Sequence, residues 1–354
     1  MKQVRLRITT VRFLSNLVIG AVLVGVAAIY GAYRHDLAAA RVHASVGSQI
    51  AQTPCGPIEY TEAGEGIPML VVHGAGGGFD QGSYFAAPLA KRGFRAIAMS
   101  RFGYLRTPLP ADASAEAQAR AHVCLLDALH IQRAAIVGAS AGAPSSILFA
   151  LKSPERTTAL VLLVPATYVP RPSNQSPLQT PPGGQFFFNT ILRSDLLFWV
   201  ASHVAPQAVT RSILATPTDV VESASREERE RVAQVLESIL PIDPRRLGLL
   251  NDAVVTSTLS RYDLEHIPVP TFVMSTKDDL YGTFAGARYT AEHVPGAKFL
   301  GFDRGGHLWV GHQEEVLSSI ERFMKAATGP NALVTVSPTG DLKARNDAEP
   351  HFHP

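Results

Sequence analysis

Two cysteines in 354 residues, Cys55 and Cys124, are too few for a disulfide framework or a tetrahedral zinc site. Cysteine is among the residues most often found in cores, so two buried thiols are the favoured reading, with a single bridge left open for an oxidising compartment. Charge is also sparse, at 18% of residues and a net +2. Lys2, Arg5, Arg7 and Arg12 stand at the amino terminus without an acid, which leaves the rest of the chain slightly acidic. That balance offers no phosphate-binding stripe and argues against a nucleic-acid partner. No internal repeat is visible. The one glycine-rich stretch lacks the Lys-Ser/Thr that a P-loop requires. His351 and His353 could pair on a metal only within a segment, residues 329–354, whose lack of apolar periodicity reads as disorder. Neither cofactor nor metal is expected, and the oligomeric state is left open.

What the chain does have begins at Phe13. The run "FLSNLVIGAVLVGVAAIYGAY", Phe13 to Tyr33, carries no charge. At ~1.5 Å per helical residue it matches a ~30 Å hydrocarbon core. Residues 1–12 then form a basic cytoplasmic leader and residues 13–33 a transmembrane signal anchor, with the remainder outside the cytoplasm by the positive-inside bias. A cleaved signal peptide is the competing reading, since "LAAA" at 37–40 offers a small-residue site. Residues 34–55 read as a polar, alanine-rich stalk.

From residue 56 the pattern alternates short apolar strands ("IPMLVVHG", "FRAIAMS", "RAAIVGAS", "ALVLLVPA") with helical segments, the signature of a mostly parallel sheet covered on both faces. The alternation stops at about residue 169 and resumes at 262. The interval opens with a Pro-rich loop and then shows helical patterns only. It reads as a helical cap inserted into an α/β core of residues 56–168 and 262–328.

Three stretches carry chemistry. Gly138-Ala139-Ser140-Ala141-Gly142 follows an apolar strand and precedes a helix, the context that a strained nucleophile turn needs. Such a turn brings strand and helix so close that positions two before and two after the serine must be small. It also places the Ala141 N–H at a helix amino terminus, where the dipole favours negative charge. Upstream, His73-Gly74-Ala75-Gly76-Gly77-Gly78 is a loop whose backbone can approach a ligand. The N–H groups of Ala75 and Ala141 are the candidate oxyanion donors. Downstream, "TKDD" ends one strand with Asp278 and Asp279, and "DRGGHLW" ends the next with His307. Serine, acid and histidine in that order, each just after a strand, suit nucleophilic acyl chemistry with His307 as base. His312 is a weaker rival. Gly76, Phe187 and Trp309 are assigned to the substrate pocket, although aromatic packing of the cap onto the core is the commoner role of Phe186, Phe187, Phe188, Phe198 and Trp199. The charged run Arg226 to Arg231 reads as a solvated helix face.

In their order and spacing these motifs resemble the α/β-hydrolase fold superfamily over about residues 57–327, and "SRFGYLRTP" at 100–108 resembles that family's loop after its fourth strand. The resemblance is greatest to capped serine esterases and carbon–carbon bond hydrolases. It implies an acid with a D-x-x-x-P start, which Asp279 keeps with Thr283 in place of proline, so Asp279 is preferred and Asp278 is the alternative. Serine at the turn separates the chain from dehalogenases and epoxide hydrolases of this fold, which use aspartate. The expected function is hydrolysis of a carboxylic ester of an apolar small molecule through an acyl-enzyme. The alternatives are a carbon–carbon bond hydrolase acting on a vinylogous diketone and a low-turnover ligand-binding homologue.

Overall fold

The computed structural model describes residues 2–171 and 178–329, with side-chain surroundings from residue 13 onward. The basic side chains of the leader, the middle of the Pro-rich loop and the tail with His351 and His353 lie outside the described residues. Eight strands form one sheet: β1 (Gln49–Thr53), β2 (Gly56–Ala63), β3 (Ile67–Val72), β4 (Phe94–Met99), β5 (Ala134–Ala139), β6 (Thr157–Leu163), β7 (Thr271–Thr276) and β8 (Lys298–Phe302). Their order across the sheet is β1-β2-β4-β3-β5-β6-β7-β8, antiparallel over the first two pairings and parallel thereafter. Helices α1 (Lys2–His43), α2 (Phe79–Ala90), α3 (Ala115–Ala128) and α4 (Ala143–Lys152) precede the insertion. Within it lie α5 (Gly184–Asn189), α6 (Asp195–Val204), α7 (Pro206–Ile213), α8 (Thr218–Glu222), α9 (Arg226–Glu237) and α10 (Arg246–Ser257), and after it α11 (Thr283–His293) and α12 (Gln313–Thr328).

The parallel strands are apolar throughout because both faces are covered. Leu70, Val72, Ile136, Leu160 and Leu162 pack in one core layer, while Met69, Val71, Ala135, Val137 and Val161 pack in the other. The insertion has a core of its own, around Phe198, Trp199, Val209, Val235 and Ile242, and Leu308 and Val310 of the loop after β8 belong to it. The cap therefore packs directly on the chain that carries His307.

Strand order reverses direction at β3, whose neighbours are β4 on one side and β5 on the other. In open α/β sheets ligands sit beyond the carboxyl ends of the strands at such a point. The register places Val72 opposite Gly138, so the glycine loop after β3 and the serine turn after β5 leave the sheet side by side. β6, β7 and β8 end at the same edge, through Leu163 opposite Met274 and Thr276 opposite Phe302.

Several expectations change. Residues 34–55 are not a free stalk: alanines 38–40 extend α1 to His43, Leu37 is buried, and Gln49–Thr53 adds an edge strand through backbone pairing that its polar side chains do not advertise. Cys55 and Cys124 are joined rather than free, because the β1–β2 turn folds over α3 and brings their Cα atoms to 6.1 Å. The cap aromatics Phe186 to Phe188 and Phe198 to Trp199 lie on two separate helices, α5 and α6. The break follows from Ser194, whose hydroxyl accepts the Leu197 N–H and starts α6 afresh. Ser225 does the same between α8 and α9 by accepting the Glu228 N–H.

Candidate functional site

Ser140 sits at the junction of β5 and a short 3-10 turn with φ of 48°, a left-handed conformation that a non-glycine residue holds only when its surroundings impose it. Those surroundings are the two glycines. A Cβ on Gly138 would lie 2.5 Å from Ser146 Oγ, and one on Gly142 would lie 2.6 Å from the Val72 carbonyl oxygen. The Ala166 N–H donates to the Ser140 carbonyl at 3.0 Å and holds the turn from β6's side. The hydroxyl faces a mostly apolar cavity of about 340 Å³, shared with Ala75, Ala141, His307 and Trp309. Among the described residues Ser140 Oγ has no hydrogen-bond partner, an arrangement common before a substrate is bound.

His307 Nδ1 lies 2.8 Å from Asp279 Oδ2. Both are buried, and the Tyr281 N–H (2.9 Å) and the Thr283 hydroxyl also donate to the Asp279 carboxylate. With a carboxylate at Nδ1, the imidazole carries its proton there and leaves Nε2 as acceptor. Asp278 faces elsewhere: its oxygens accept the Gly305 and Gly306 N–H groups at 3.1 and 2.8 Å, which shapes the turn before His307. Tyr281 meets the imidazole edge-on at 4.9 Å and donates its hydroxyl to the Ile213 carbonyl of the cap at 2.8 Å. Burial, with the Asp279 charge behind it, pushes the Tyr281 phenol up and keeps it protonated. His312 stacks on Phe302 and does not line the cavity.

Ala75 and Ala141 line the cavity, and the Ala75 N–H has no backbone or side-chain acceptor among the described residues. Ala141 follows Ser140 in the opening turn of a helix, where the N–H has no acceptor within the helix. Two pocket assignments need correction. Gly76 does not line the cavity; its N–H donates to Tyr104 Oη at 3.1 Å. Phe187 packs against the cap core, and its neighbour Phe188 lines the cavity in its place, a matter of helix phase in a six-residue helix. Trp309 does line it, with its indole N–H donating to Gln313 Oε1 at 2.7 Å.

Of the residues that hold the glycine loop, only Arg101 falls in a stretch singled out in the sequence, "SRFGYLRTP", and nothing in that stretch gives its role. Arg101, buried, donates through Nη1 and Nη2 to both oxygens of Asp252 at 2.6 Å, through Nε to the His73 carbonyl at 2.9 Å and through Nη2 to the Gly74 carbonyl at 3.1 Å. Asp252 belongs to α10, so this pair ties the cap to the loop that carries Ala75. A second pair crosses in the opposite sense. Arg245, before α10, donates to Asp80 of α2 at 2.5 Å and to the Gly77 carbonyl at 2.6 Å, with both side chains buried. His73, buried between β3 and this network, accepts the Arg101 N–H on Nε2 at 3.0 Å, so its protonated Nδ1 donates to the Gly74 carbonyl. Desolvation, with the Arg101 charge behind it, pulls the His73 imidazole well below its ordinary value and keeps it neutral. Nor is the charged run on α9 wholly solvated. Arg231 turns inward to donate to the Leu308 carbonyl at 2.8 Å, while Glu228 accepts the Gly311 N–H at 2.9 Å, so both brace the His307 loop.

The family model of the alpha/beta hydrolase fold matches residues 67–310. An uncharacterized hydrolase of Bacillus subtilis, YcgS, is 28% identical over 281 residues, 75% of this chain and 93% of that protein. A 2-hydroxy-6-oxononadienedioate/2-hydroxy-6-oxononatrienedioate hydrolase of Paraburkholderia xenovorans is 36% identical over 127 residues, 33% of this chain and 44% of its own. Among solved structures, an alpha/beta hydrolase fold protein from Nakamurella multipartita superposes with a TM-score of 0.63 at 27% identity, covering 79% of this chain and 99% of that one. An esterase from Exiguobacterium antarcticum shares the fold at a TM-score of 0.58 and 18% identity, over 78% of this chain and 99% of its own. With its sheet order and serine turn in place and the family model matched from β3 to the loop after β8, the chain belongs to the α/β hydrolase fold family and is a hydrolase.

Proposed function

We propose that the chain is a serine hydrolase that cleaves a carboxylic ester of an apolar small molecule, held at a membrane by residues 13–33 with its catalytic domain outside the cytoplasm. One observation carries this reading: a serine strained to positive φ and a histidine oriented by a buried carboxylate open into the same apolar cavity.

His307 Nε2 takes the Ser140 proton as Oγ attacks the ester carbonyl, and the carbonyl oxygen becomes an oxyanion facing the Ala75 and Ala141 N–H groups. Each such donor is worth ~3 kcal/mol of transition-state stabilisation. The imidazolium, stabilised by Asp279, returns the proton to the leaving alkoxide, and an acyl-Ser140 remains. Water activated by His307 then attacks the acyl carbon, releases the carboxylic acid and restores the hydroxyl. The membrane part of the reading rests on α1, a helix long and apolar enough to cross a bilayer. Retention in the membrane pellet through a carbonate wash checks it.

An ester panel with Ser140→Ala as control tests the chemistry. Turnover of short chromogenic esters is expected to vanish in the variant with the thermal melt unchanged, and hydrolysis that survives in a pure preparation sinks the assignment. The carbon–carbon bond hydrolase reading is favoured by the Paraburkholderia relative's named reaction. A dienone substrate assayed beside the esters separates the two.

A further inference from the structure

α6 is apolar on two sides. Phe198 and Trp199 point inward, while Leu196, Val200 and Val204, spaced four apart, form a stripe exposed by 39%, 39% and 79%, flanked by Leu197. A continuous stripe of this kind marks a surface that something apolar covers.

Contacts with α1 fix the direction in which the stripe runs. Arg41 lies 3.7 Å from Asp195 at the start of α6. Tyr33 packs edge-on against Trp199 with ring centres 5.8 Å apart, and the Trp199 indole N–H donates to Asp36 at 2.9 Å. His203, near the end of α6, is 3.8 Å from Asp36. Numbers fall along α1 as they rise along α6, so the helices run antiparallel. The carboxyl end of α6 then lies level with Tyr33 to Asp36, where the uncharged run of α1 ends. Val204 and the exposed start of α7 stand at the plane where an anchored α1 leaves hydrocarbon. Tyr30, Tyr33 and Trp199 gather at that level, as aromatic side chains do at a lipid–water boundary. On the cavity side, α5 is joined to α6 by the single turn Ile191–Arg193 and lines the substrate cavity with Phe188.

We propose that the corner formed by the end of α6 and the start of α7 is a lipid-contacting surface seated in the headgroup layer beside α1, and that the Ser140 site takes an amphiphilic ester delivered from the bilayer. The occupant is lipid rather than a second copy because the stripe is continuous with the α1–α6 contact, and α1 itself enters the bilayer. This rests on the anchored serine hydrolase reading above.

The bridge between Cys55 and Cys124 leaves no free thiol among the described residues, so a single introduced cysteine can be labelled. Full-length Val204→Cys, carrying an environment-sensitive fluorophore, is placed in vesicles of phosphatidylcholine and phosphatidylglycerol. Arg226→Cys, on the outer side of α9, is the control. The label at 204 is expected to be blue-shifted and roughly fivefold less quenched by aqueous iodide than the label at 226. Equal quenching overturns the proposal, and so does shielding that follows protein concentration in detergent, which identifies a second copy. Val200→Glu/Val204→Glu is expected to lower kcat/KM about five- to tenfold on a long-chain ester presented in vesicles and to spare a short water-soluble ester. Loss on both substrates, or on neither, overturns delivery from the bilayer. Release by carbonate defeats the anchor, and activity retained by Ser140→Ala defeats the nucleophile. The label result stays separate from both.

Discussion

Asp278 and Asp279 are neighbours in the chain with separate tasks in the structure. One accepts two turn N–H groups before His307, and the other meets the imidazole. Under the proposed mechanism Asp279→Asn lowers kcat by roughly 10³- to 10⁴-fold through loss of the productive tautomer. Asp278→Asn, which keeps an oxygen for one of the two turn N–H groups, stays within about tenfold of the parent. Steady-state kinetics on both, with melts to confirm folding, check the division, and equal losses refute it. At this scale the serine turn was legible in advance, because the need for glycine at 138 and 142 is steric and local. Phe188 was not distinguishable from Phe187, since a helix of six residues is too short for its phase to be read from periodicity. Asp80, Arg245 and Asp252 carry no local signature either, and Arg101 lies in the singled-out stretch 100–108 without any sign there of its partner Asp252. Each becomes meaningful only when the cap closes over the sheet.

Between elements, the two buried ion pairs hold the glycine loop from opposite sides. Removing one partner of such a pair strands a desolvated charge and costs about 3–5 kcal/mol. Arg245→Met should therefore destabilise the fold by that order in urea melts, and Arg245→Met/Asp80→Leu should recover most of the loss. A double variant as weak as the single one would mean that the Gly77 carbonyl contact, not the charge pairing, matters. α3 and α4 meet through His122, which contacts Ser145 at 3.1 Å beneath the serine turn; burial, then the Arg101 charge, pulls its imidazole down to about 3. The unfolded chain binds this proton from about pH 6.5. Stability contributed by the neutral ring is complete above that pH and falls by about 1.4 kcal/mol per pH unit as the medium is acidified towards 3. His73 titrates in the same sense. Melting temperature followed from pH 8 to pH 4 should decline below about 6.5, less steeply in His122→Gln, and parallel curves would remove His122 from the account. Strands β3, β5, β6 and β7 could be read from the sequence because their runs are apolar on both faces. β1 could not, because its "QIAQT" is an edge pairing written in backbone rather than side chains.

For the whole molecule, the bridge between Cys55 and Cys124 closes a span of 69 residues from the sheet edge to α3. Chain-entropy reasoning gives about 4 kcal/mol for a loop of that length. Cys55→Ala/Cys124→Ala should therefore lower unfolding stability by roughly 2–4 kcal/mol. Denatured, unreduced protein recovered from the cell should show no reactive thiol in a colorimetric titration. Two free thiols there would contradict both the bridge and an oxidising location. The crossed ion pairs bear on motion as well. Each half of the molecule contributes one buried guanidinium and one buried carboxylate, so lifting the insertion away would have to separate both pairs together with the packing of Leu308 and Val310 in the cap core. A hinged lid is thus a poor picture of this enzyme. Under the proposed mechanism, ligands are then expected to enter by side-chain movement around lining groups such as Phe188 and Leu249, with the Ser140 turn held in place.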